Sequence, residues 1–590
     1  MAEHTYDSWG SAGDRFADGS ICIGIDLGTT NSCVGMWHVE RNHAKILKNR
    51  ADRGRTTPSA VRFDPQSQSY LVGNAALALE TTEPVGNTVR SVKRLMGQKF
   101  DSKASEVARM YATYKVAPTK QGNVAVQVAR GGGKPIAVEP EELSACILSE
   151  LKASAEAYFE DGKRLDNVVI TVPAYFSDSQ RKATITSASM AGFKAIRLLN
   201  EPTAAAMAYG LFLSGTKLVT VFDFGGGTLD VSLLSIQDGR FEVLGIGGDT
   251  NLGGEDINNL LVEHLLEVLH KHHDVTRAQV SMTDMVLLKR EVETAKVALS
   301  SEEHADITLH DFAGIPTFSY TLMRRKFELL CEPIWKICLR IVGNVLKEAE
   351  VDAVDVDEVI LVGGSTRIPI LRSKVSEAFH GKVCDRQFWL EPEVISDSCF
   401  VHGAVSAFQE LCMSVNADEV VCEGAAIQAA ILSGMDQRVF RDVLMMDVLP
   451  LPIGLETADG GMEVILPRNA RIPTSVTKYF QTYEDDQRGL TVEVYEGEHE
   501  VAKENDHICY FNFALPRSKI AKAGELAHPV TFTMNASGVL QVQAGVHHDS
   551  EEEPMSKSAI FLMAGYIAAL FGFYVFFRLF FAEERDITAA

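Results

Sequence analysis

The stretch Leu218–Val231, LVTVFDFGGGTLDV, decides the fold of this chain. Its β-branched, apolar first half predicts a buried strand. The strand leads into Asp223, three consecutive glycines, Thr228 and a second carboxylate, Asp230. Consecutive glycines let backbone N–H groups approach an anion closely, and carboxylates together with substrate phosphate hold Mg²⁺ in proteins. The pattern therefore indicates a phosphate-binding loop at the end of a core strand.

A second stretch near the N-terminus has the same layout. Ile21–Asn31, ICIGIDLGTTN, reads as a strand followed by Asp26, a glycine and two threonines. A triple glycine alone is also typical of a flexible loop after a core strand. Two strand–Asp–Gly–Thr loops instead favour a duplicated fold, whose halves hold one phosphate chain from opposite sides.

Composition narrows the classes of function. With 590 residues, the chain is long enough for several domains with full cores. Its formal charge of −23 leaves no basic surplus for binding nucleic acid. The 10 cysteines include no CxxC pair, which favours reduced thiols in the cytosol over disulfides or zinc. Residues 1–20 are polar and acidic, and we expect a disordered leader rather than a targeting peptide.

From Ile21 to about Phe440, strands alternate with amphipathic helices, as in α/β proteins. The run VILVGGSTRIP is again an apolar strand that ends in a glycine turn, which suits a nucleoside. On the predicted helix EVETAKVALSS, Glu293, Lys296 and Ser300 share one face. A solvated helix face is the alternative explanation of that spacing.

The motifs IGIDLGTTNS, NEPTAAAMAYG, FDFGGGTLDVS, LGGED and LVGGSTRIP, in this order, resemble those of the 70-kDa heat-shock protein (DnaK-type) chaperone family. Actins and sugar kinases share the two phosphate loops but not the whole set. The resemblance covers about Ile21 to Val546. It implies an α/β actin-like, two-lobed ATPase domain (residues 21–440), an interdomain linker (441–450) and an all-β sandwich that binds peptides (451–546).

The resemblance also implies a role for each matching residue. The catalytic residues would be Lys93, Glu201, Asp223 and Thr228, which suits phosphoryl transfer because that chemistry chiefly needs positioning and charge neutralisation. The ligands of Mg²⁺ would be Asp26, Glu201, Asp223 and Asp230, and K⁺ is a further candidate ion. ATP would be bound by Asp26, Gly28, Thr29, Thr30, Asn31, Gly225, Gly226, Gly227, Thr228, Gly254, Glu255, Glu293, Lys296, Ser300, Gly363, Gly364, Ser365, Arg367 and Asp418.

In the β-sandwich, the resemblance implies an arch made by Ala458 and Tyr483 over an extended peptide. The apolar pocket below it would be lined by Phe480, Leu490, Val492 and Met534, which would otherwise be sandwich core. Coupling between the nucleotide and peptide sites would involve Pro173, Arg181 and Asp447.

The chain departs from the family pattern at two places in the ATPase domain. Val297 stands where the family commonly carries an arginine that stacks on adenine, so one half of a cationic sandwich is missing. An extra segment at about 385–413 loosely echoes the DEVVCEGAAIQ that follows it, as a local duplication would. The sequence predicts no role for this insertion.

The C-terminal region predicts a membrane anchor in place of the family's helical lid. After an acidic linker (547–558), the span 559–581 begins AIFLMAGYIAALFGFYVFF, which as a helix is about 28 Å long and crosses a bilayer core. A short tail (582–590) follows. Because no N-terminal signal precedes it, we expect tail-anchored insertion with the folded domains facing the cytosol. The endoplasmic reticulum is favoured over the outer mitochondrial membrane.

The sequence therefore predicts a membrane-anchored, lidless, ATP-dependent chaperone. It would couple ATP hydrolysis to the binding of apolar, extended polypeptide segments. A J-domain co-chaperone, a nucleotide-exchange factor and membrane lipid are the expected partners. The alternative is a tethered recruiting module in which ATP sets the conformation but turnover is negligible. A small-molecule kinase on the same fold is disfavoured by the linker and the β-sandwich.

Overall fold

The structure is a computed structural model that describes residues 21–132, 134–159, 164–210, 215–383, 416–435, 437–440, 443–482, 484–514, 522–523 and 527–544. The predicted leader, the insertion, Tyr483, the acidic linker, the membrane segment and the tail lie outside these residues. Among the described residues, no helix is long and apolar enough to cross a membrane.

The first lobe is built around a mixed sheet in the order β12-β11-β1-β2-β3, in which β1, β11 and β12 are parallel and β1, β2 and β3 are antiparallel. Its elements are β1 (Cys22–Asp26), β2 (Asn31–His38), β3 (His43–Ile46), β4 (Thr57–Pro58), β5 (Ala60–Phe63), β6 (Tyr70–Val72), α1 (Asn74–Leu77), β7 (Thr88–Arg90), α2 (Lys103–Tyr111), β8 (Lys115–Pro118), β9 (Val124–Val128), β10 (Ile136–Val138), α3 (Pro140–Glu156), β11 (Asn167–Val172), α4 (Asp178–Met190), β12 (Ala195–Asn200) and α5 (Glu201–Gly210).

The second lobe repeats this arrangement with strands β13, β14 and β15 antiparallel and β18 parallel to β13. Its elements are β13 (Thr216–Phe224), β14 (Leu229–Gln237), β15 (Arg240–Asp249), α6 (Gly254–His273), α7 (Met282–Ala298), β16 (His304–Phe312), β17 (Ile315–Met323), α8 (Arg324–Leu330), α9 (Glu332–Glu348), β18 (Glu358–Val362) and α10 (Pro369–Ala378). Each lobe therefore has a β-hairpin turn at the same position in its sheet. The turn lies between β1 and β2 in the first lobe and between β13 and β14 in the second. This agrees with the duplicated fold expected from the two motifs.

Helix α11 (Val420–Leu432) returns to the first lobe, where its small side chains allow close packing on β1 and α5. A short helix, α12 (Gln437–Phe440), and strand β19 (Leu444–Val448) follow. Strand β19 falls within the predicted linker. It pairs in parallel with β15, which places Leu444 beside Arg240, so the linker extends the sheet of the second lobe.

The β-domain contains two antiparallel sheets, β21-β20-β24-β25 and β23-β26-β27. Its strands are β20 (Ile453–Glu456), β21 (Met462–Leu466), β22 (Arg471–Ile472), β23 (Thr474–Gln481), β24 (Gly489–Glu496), β25 (Asp506–Ala514), β26 (Ala527–Met534) and β27 (Leu540–Ala544). In β26, burial alternates with a period of two from His528 to Met534, as expected for a strand with one face on a core. Strand β22 pairs with β19, which joins this domain to the linker.

Candidate functional site

A cavity of about 350 Å³ lies between the two lobes. Every residue predicted to bind ATP lines it, as do the predicted catalytic residues Lys93, Glu201, Asp223 and Thr228. Of the predicted metal ligands, Asp230 alone does not line the cavity; it is fully buried directly behind the glycine loop. The fold therefore brings together residues from both ends of the ATPase region. The volume is within the usual range for small-molecule sites.

The two hairpin turns meet face to face at the cavity. A Cβ atom at Gly226 would lie 2.0 Å from Thr30 Oγ1, and one at Gly227 would lie 2.3 Å from Thr29 Oγ1. Glycine is therefore required here by the close approach of the two loops. The N-terminus of α6 packs on the same loop, where Gly254 N donates to Gly225 O at 3.0 Å and Glu255 N donates to Gly226 O at 2.9 Å. These two bonds fix the glycine loop against the start of α6.

Acidic side chains from both lobes converge at one end of the cavity. Lys93 Nζ donates to Glu201 Oε1 at 2.5 Å, and Thr171 Oγ1 donates to Asp26 Oδ1 at 2.9 Å. Desolvation and the neighbouring Glu201 carboxylate raise the pKa of Asp26 to about 7. Desolvation raises the pKa of Asp223 as well. Burial first, and then the mutual repulsion of the carboxylates, therefore disfavours ionisation of all of them unless a further cation is present.

Asp230 gives the clearest test of a metal site. Its Oδ1 accepts a hydrogen bond from Tyr175 N at 3.1 Å, while its buried Oδ2 has no partner among the described residues. Burial raises the pKa of Asp230 to about 7. A hydrated divalent cation would satisfy this oxygen through a bound water and would offset the repulsion between the carboxylates. The residues present therefore fit Mg²⁺.

The nucleoside end of the cavity is formed by α7 and the turn Gly364–Arg367. Lys296 Nζ donates to Glu293 Oε2 at 2.7 Å and to Gly254 O at 3.2 Å, which ties α7 to the start of α6. Ser300 lies on the same face and also lines the cavity. Val297 lines it too, with 60% of its surface exposed, so this wall carries an apolar side chain rather than a cation.

The opposite wall of the nucleoside end is a short 3-10 turn after β18. Ser365 Oγ donates to Gly225 O at 2.9 Å, which fixes this turn against the glycine loop. Arg367 Nη2 donates to Asp418 Oδ2 at 2.6 Å. The Arg367 guanidinium is thereby held at the cavity, which Val297 also lines.

A second cluster lies between α4 and the β-domain. Arg181, predicted to couple the two sites, is buried and donates to Phe176 O, Asn200 Oδ1 and Ser537 O at 3.0, 2.9 and 3.2 Å. Asp178 N donates to Glu496 Oε2 at 3.0 Å, and Leu540 N donates to Asp178 Oδ1 at 2.9 Å. Arg181 and Asp178 therefore hold the β-domain against the first lobe.

The other two predicted coupling residues lie beside this interface. Asp447, in β19, accepts hydrogen bonds from Asn200 Nδ2 and Thr203 Oγ1 at 2.8 and 3.1 Å. Pro173 directly follows β11, and its carbonyl accepts a hydrogen bond from Phe176 N at 3.1 Å. Because Asn200 immediately precedes Glu201, the linker contact and the Lys93–Glu201 pair are next to each other along the chain.

The predicted peptide-site residues occupy different depths of the β-domain. Met534, Val492 and Leu490 are buried, whereas Phe480 is half-buried and lies 6.4 Å from the ring of Phe532. Ala458 is exposed in the turn between β20 and β21. The sequence reasoning missed His528, which is buried in register with Phe480. The alternating pattern HPVTFTM, in which His528 falls on the same face as the apolar residues, could have indicated from the sequence that His528 is buried.

Three further residues around the cavity were also missed. Thr171 holds Asp26, Asn258 Nδ2 donates to Glu293 Oε2 at 2.6 Å, and Arg94 bridges the two lobes. Arg94 directly follows Lys93, a predicted catalytic residue, and this position could have indicated from the sequence that Arg94 lies near the site. Nothing in the local sequence marks Thr171 or Asn258.

Comparison with known proteins agrees with this architecture. A family model described as "Hsp70 protein" matches residues 22–407 and 400–560. The chain is 39% identical to "Heat shock cognate 70 kDa protein 3" of Dictyostelium discoideum, over 88% of this chain and 78% of that protein. It is 40% identical to "Heat shock 70 kDa protein" of Neurospora crassa, over 88% of this chain and 75% of that protein.

Proposed function

Because this chain belongs to the Hsp70 family, we propose that it is an ATP-dependent chaperone that hydrolyses ATP to ADP and phosphate in the cavity between its lobes. One observation carries the proposal: the two glycine–threonine turns, Lys93 and the carboxylates of Asp26, Glu201 and Asp223 meet at that cavity, with Asp230 buried behind the glycine loop. This set supplies what phosphoryl transfer needs, which is positioning and charge neutralisation.

Different residues around the cavity have different proposed roles in ATP binding and hydrolysis. The backbone of Gly225–Thr228 and the side chains of Thr29 and Thr30 would hold phosphate oxygens. Lys93, oriented by Glu201, would place a positive charge beside the γ-phosphate and the attacking water. Mg²⁺, when bound through Asp26, Glu201, Asp223 and Asp230, supplies the remaining neutralisation of charge. Lys296, Ser300 and Arg367 would hold the nucleoside. K⁺ is a further proposed ion.

Hydrolysis in a single turnover tests this function. The full chain would be loaded with radiolabelled ATP and Mg²⁺, with and without an apolar peptide. We expect ADP to form, and to form faster with peptide. Chelation of the metal is the matched control and should stop the reaction. Binding without turnover would instead favour the tethered recruiting module.

We further propose that the β-domain binds apolar, extended polypeptide through the pocket around Phe480, Leu490 and Val492. The docked strand β19 and the Arg181 cluster support coupling of this site to the nucleotide, because both connect the β-domain to the loops around Glu201. A J-domain co-chaperone and a nucleotide-exchange factor are the proposed partners, by analogy with the family.

We also propose that the apolar segment 559–577 anchors the protein in a membrane, with the endoplasmic reticulum favoured and the domains facing the cytosol. The orientation can be tested at one sequon. The Asn535-Ala536-Ser537 sequon lies at the domain interface, where Ser537 is buried and its Oγ accepts a hydrogen bond from Leu198 N at 3.2 Å. A glycan on Asn535 would obstruct this contact.

Topology is tested in intact microsomes. We expect added protease to digest the β-domain, and we expect no mass shift after endoglycosidase treatment. Recovery of the chain in the carbonate-soluble fraction would contradict anchoring. Protection from protease, or an endoglycosidase-sensitive shift, would place the domains in the lumen.

A further inference from the structure

A cross-lobe arginine lies directly behind the phosphate-binding turn. Arg94 follows Lys93 in the 3-10 turn Val92–Leu95 of the first lobe. Lys93 points into the cavity, whereas Arg94 reaches across to the second lobe. Its Nε and Nη2 donate to Gly227 O at 3.0 and 2.8 Å, and its Nη1 donates to Asp256 Oδ1 at 3.1 Å.

The Asp256 end of this contact is itself fixed. Asp256 lies in the first turn of α6, and its Oδ2 accepts a hydrogen bond from Gly253 N at 2.7 Å. The side chains of Arg94 and Asp256 are 11% and 21% exposed, so the ion pair is largely shielded from water. Hydrogen bonds between charged groups are stronger than neutral ones. One guanidinium thus ties the first lobe to both the glycine loop and α6.

The contact with Gly227 O also determines where the next N–H group points. A planar trans peptide directs the C=O of Gly227 and the N–H of Thr228 to opposite sides, and among the described peptide bonds the cis ones are Glu83–Pro84 and Ile472–Pro473. Arg94 does not line the cavity, whereas Gly227 and Thr228 do. Holding the carbonyl on the Arg94 side therefore turns the N–H of Thr228 away from Arg94, towards the cavity.

We propose that Arg94 is a positioning residue that keeps the lobes closed over the nucleotide and aims the Thr228 N–H at a phosphate oxygen. It sets how long the nucleotide stays bound and contributes to the hydrolysis step. This inference rests on the proposed ATPase function. Removing one partner of a shielded charge pair acts mainly on the dissociation rate.

The test measures two quantities on the full chain: the dissociation rate of a fluorescent ATP analogue and the rate of hydrolysis in a single turnover at saturating ATP. We expect Arg94→Gln to raise the dissociation rate about tenfold or more and to slow hydrolysis as well. Asp256→Asn should raise the dissociation rate too. The double variant should be little worse than Arg94→Gln alone, because both changes break the same contact.

Arg277 provides a matched control. It also bridges the lobes, since its Nη2 donates to Met110 O at 2.8 Å and its guanidinium lies over the Tyr111 ring, but it does not touch the glycine loop. Arg277→Gln should speed dissociation modestly and leave hydrolysis at saturating ATP unchanged. Because loss of hydrolysis in Arg94→Gln alone could reflect misfolding, Arg94→Lys serves as a second variant. A lysine can reach only one of the two acceptors, so we expect an intermediate dissociation rate.

The outcomes separate the two proposals. Wild-type dissociation rates in both Arg94 variants would overturn the role of Arg94 while leaving the ATPase function intact. Additive effects of Arg94→Gln and Asp256→Asn would also overturn it. A wild-type chain that binds no nucleotide would overturn the ATPase function together with this inference.

Discussion

Replacing Glu496 by glutamine tests how the β-domain docks on the two-lobed domain. Glu496 is the last residue of β24, is 4% exposed and accepts a hydrogen bond from Asp178 N across the interface. Burial, with the nearby Asp178 and Asp506 carboxylates, raises the pKa of Glu496 from an ordinary 4.5 to about 8, although the Asp178 N–H and Arg181 oppose this shift. The neutral acid is therefore the form that suits the docked state.

The direction and size of the pH dependence of docking follow from the pKa shift of Glu496. In the undocked protein Glu496 would be solvated and its pKa would return towards 4.5. When the pH lies between this value and the docked pKa of about 8, docking is therefore coupled to the uptake of one proton by Glu496. Docking is therefore strongest below the lower pKa and weakens as the pH rises towards 8. One pKa unit corresponds to about 1.4 kcal/mol, so the docking constant should fall up to about tenfold per pH unit across this window.

Glu496→Gln removes the titration but keeps an oxygen that can accept from Asp178 N. We expect the variant to dock about tenfold or more tightly than the wild type at pH 7.5, with a flatter pH profile. Docking can be followed by hydrogen exchange of the Leu444–Val448 amides with ATP present, from pH 6 to 8.5, after correction for the intrinsic exchange rate. Burial also raises the pKa of Asp447, which acts in the same direction as the shift of Glu496.

Glu498→Gln is the control, because it removes a more exposed carboxylate two residues along the chain that pairs with Arg468 at 2.5 Å. This variant should keep the wild-type slope. Identical pH profiles for Glu496→Gln and the wild type, or weaker docking of Glu496→Gln at pH 7.5, would refute the reasoning. Either result would mean that Glu496 stays ionised in the interface.

Three further changes test the nucleotide and peptide sites. Lys93→Ala should abolish hydrolysis but leave nucleotide binding largely intact, because it removes the cation held by Glu201; unchanged turnover would exclude this lysine from the chemistry. Val297→Arg should tighten ATP binding about two- to thirty-fold, because the new arginine would add one cation–π contact with adenine to the contact expected from Arg367. Calorimetry that shows no tightening would contradict this prediction. Leu490→Asp should remove peptide binding because it buries an unpaired charge, as measured by fluorescence anisotropy, with a Leu490→Met variant expected to retain binding.

The convergence of the predicted nucleotide-binding residues on one cavity could be anticipated from the sequence because these residues come in short contiguous motifs. The glycines, Asp26, Asp223 and Lys93 lie at the ends of strands or in turns, where each motif fixes its own local geometry. The duplicated pattern then indicated that the motifs face each other. What the motifs did not show is the reason for the glycines, since the approach of Thr29 and Thr30 becomes visible only when the two lobes are brought together.

The docking interface could not be predicted in the same way. Its hydrogen bonds join residues far apart in the chain, such as Asp178 with Glu496 and Leu540. Neither Asp178 nor Glu496 belongs to a motif, and each is a residue type that is usually exposed. Their burial depends on how the β-domain sits on α4, a long-range arrangement that local patterns do not encode. Arg181 was identified through the family resemblance and not from its own sequence context.

Strand β19 has a consequence for anyone who divides this protein into fragments. Its residues Leu444–Met446 pair with β15 of the second lobe, and its last two residues, Asp447 and Val448, pair with β22 of the β-domain. A fragment that ends before Leu444 uncovers Arg240–Glu242 of β15, and one that ends after Val448 uncovers Asp447 and Val448 of β19. Unpaired strand edges template association with other chains. Either truncation should therefore make the isolated two-lobed domain more prone to self-association than the intact chain, and a soluble fragment would need its newly exposed strand edge covered or charged.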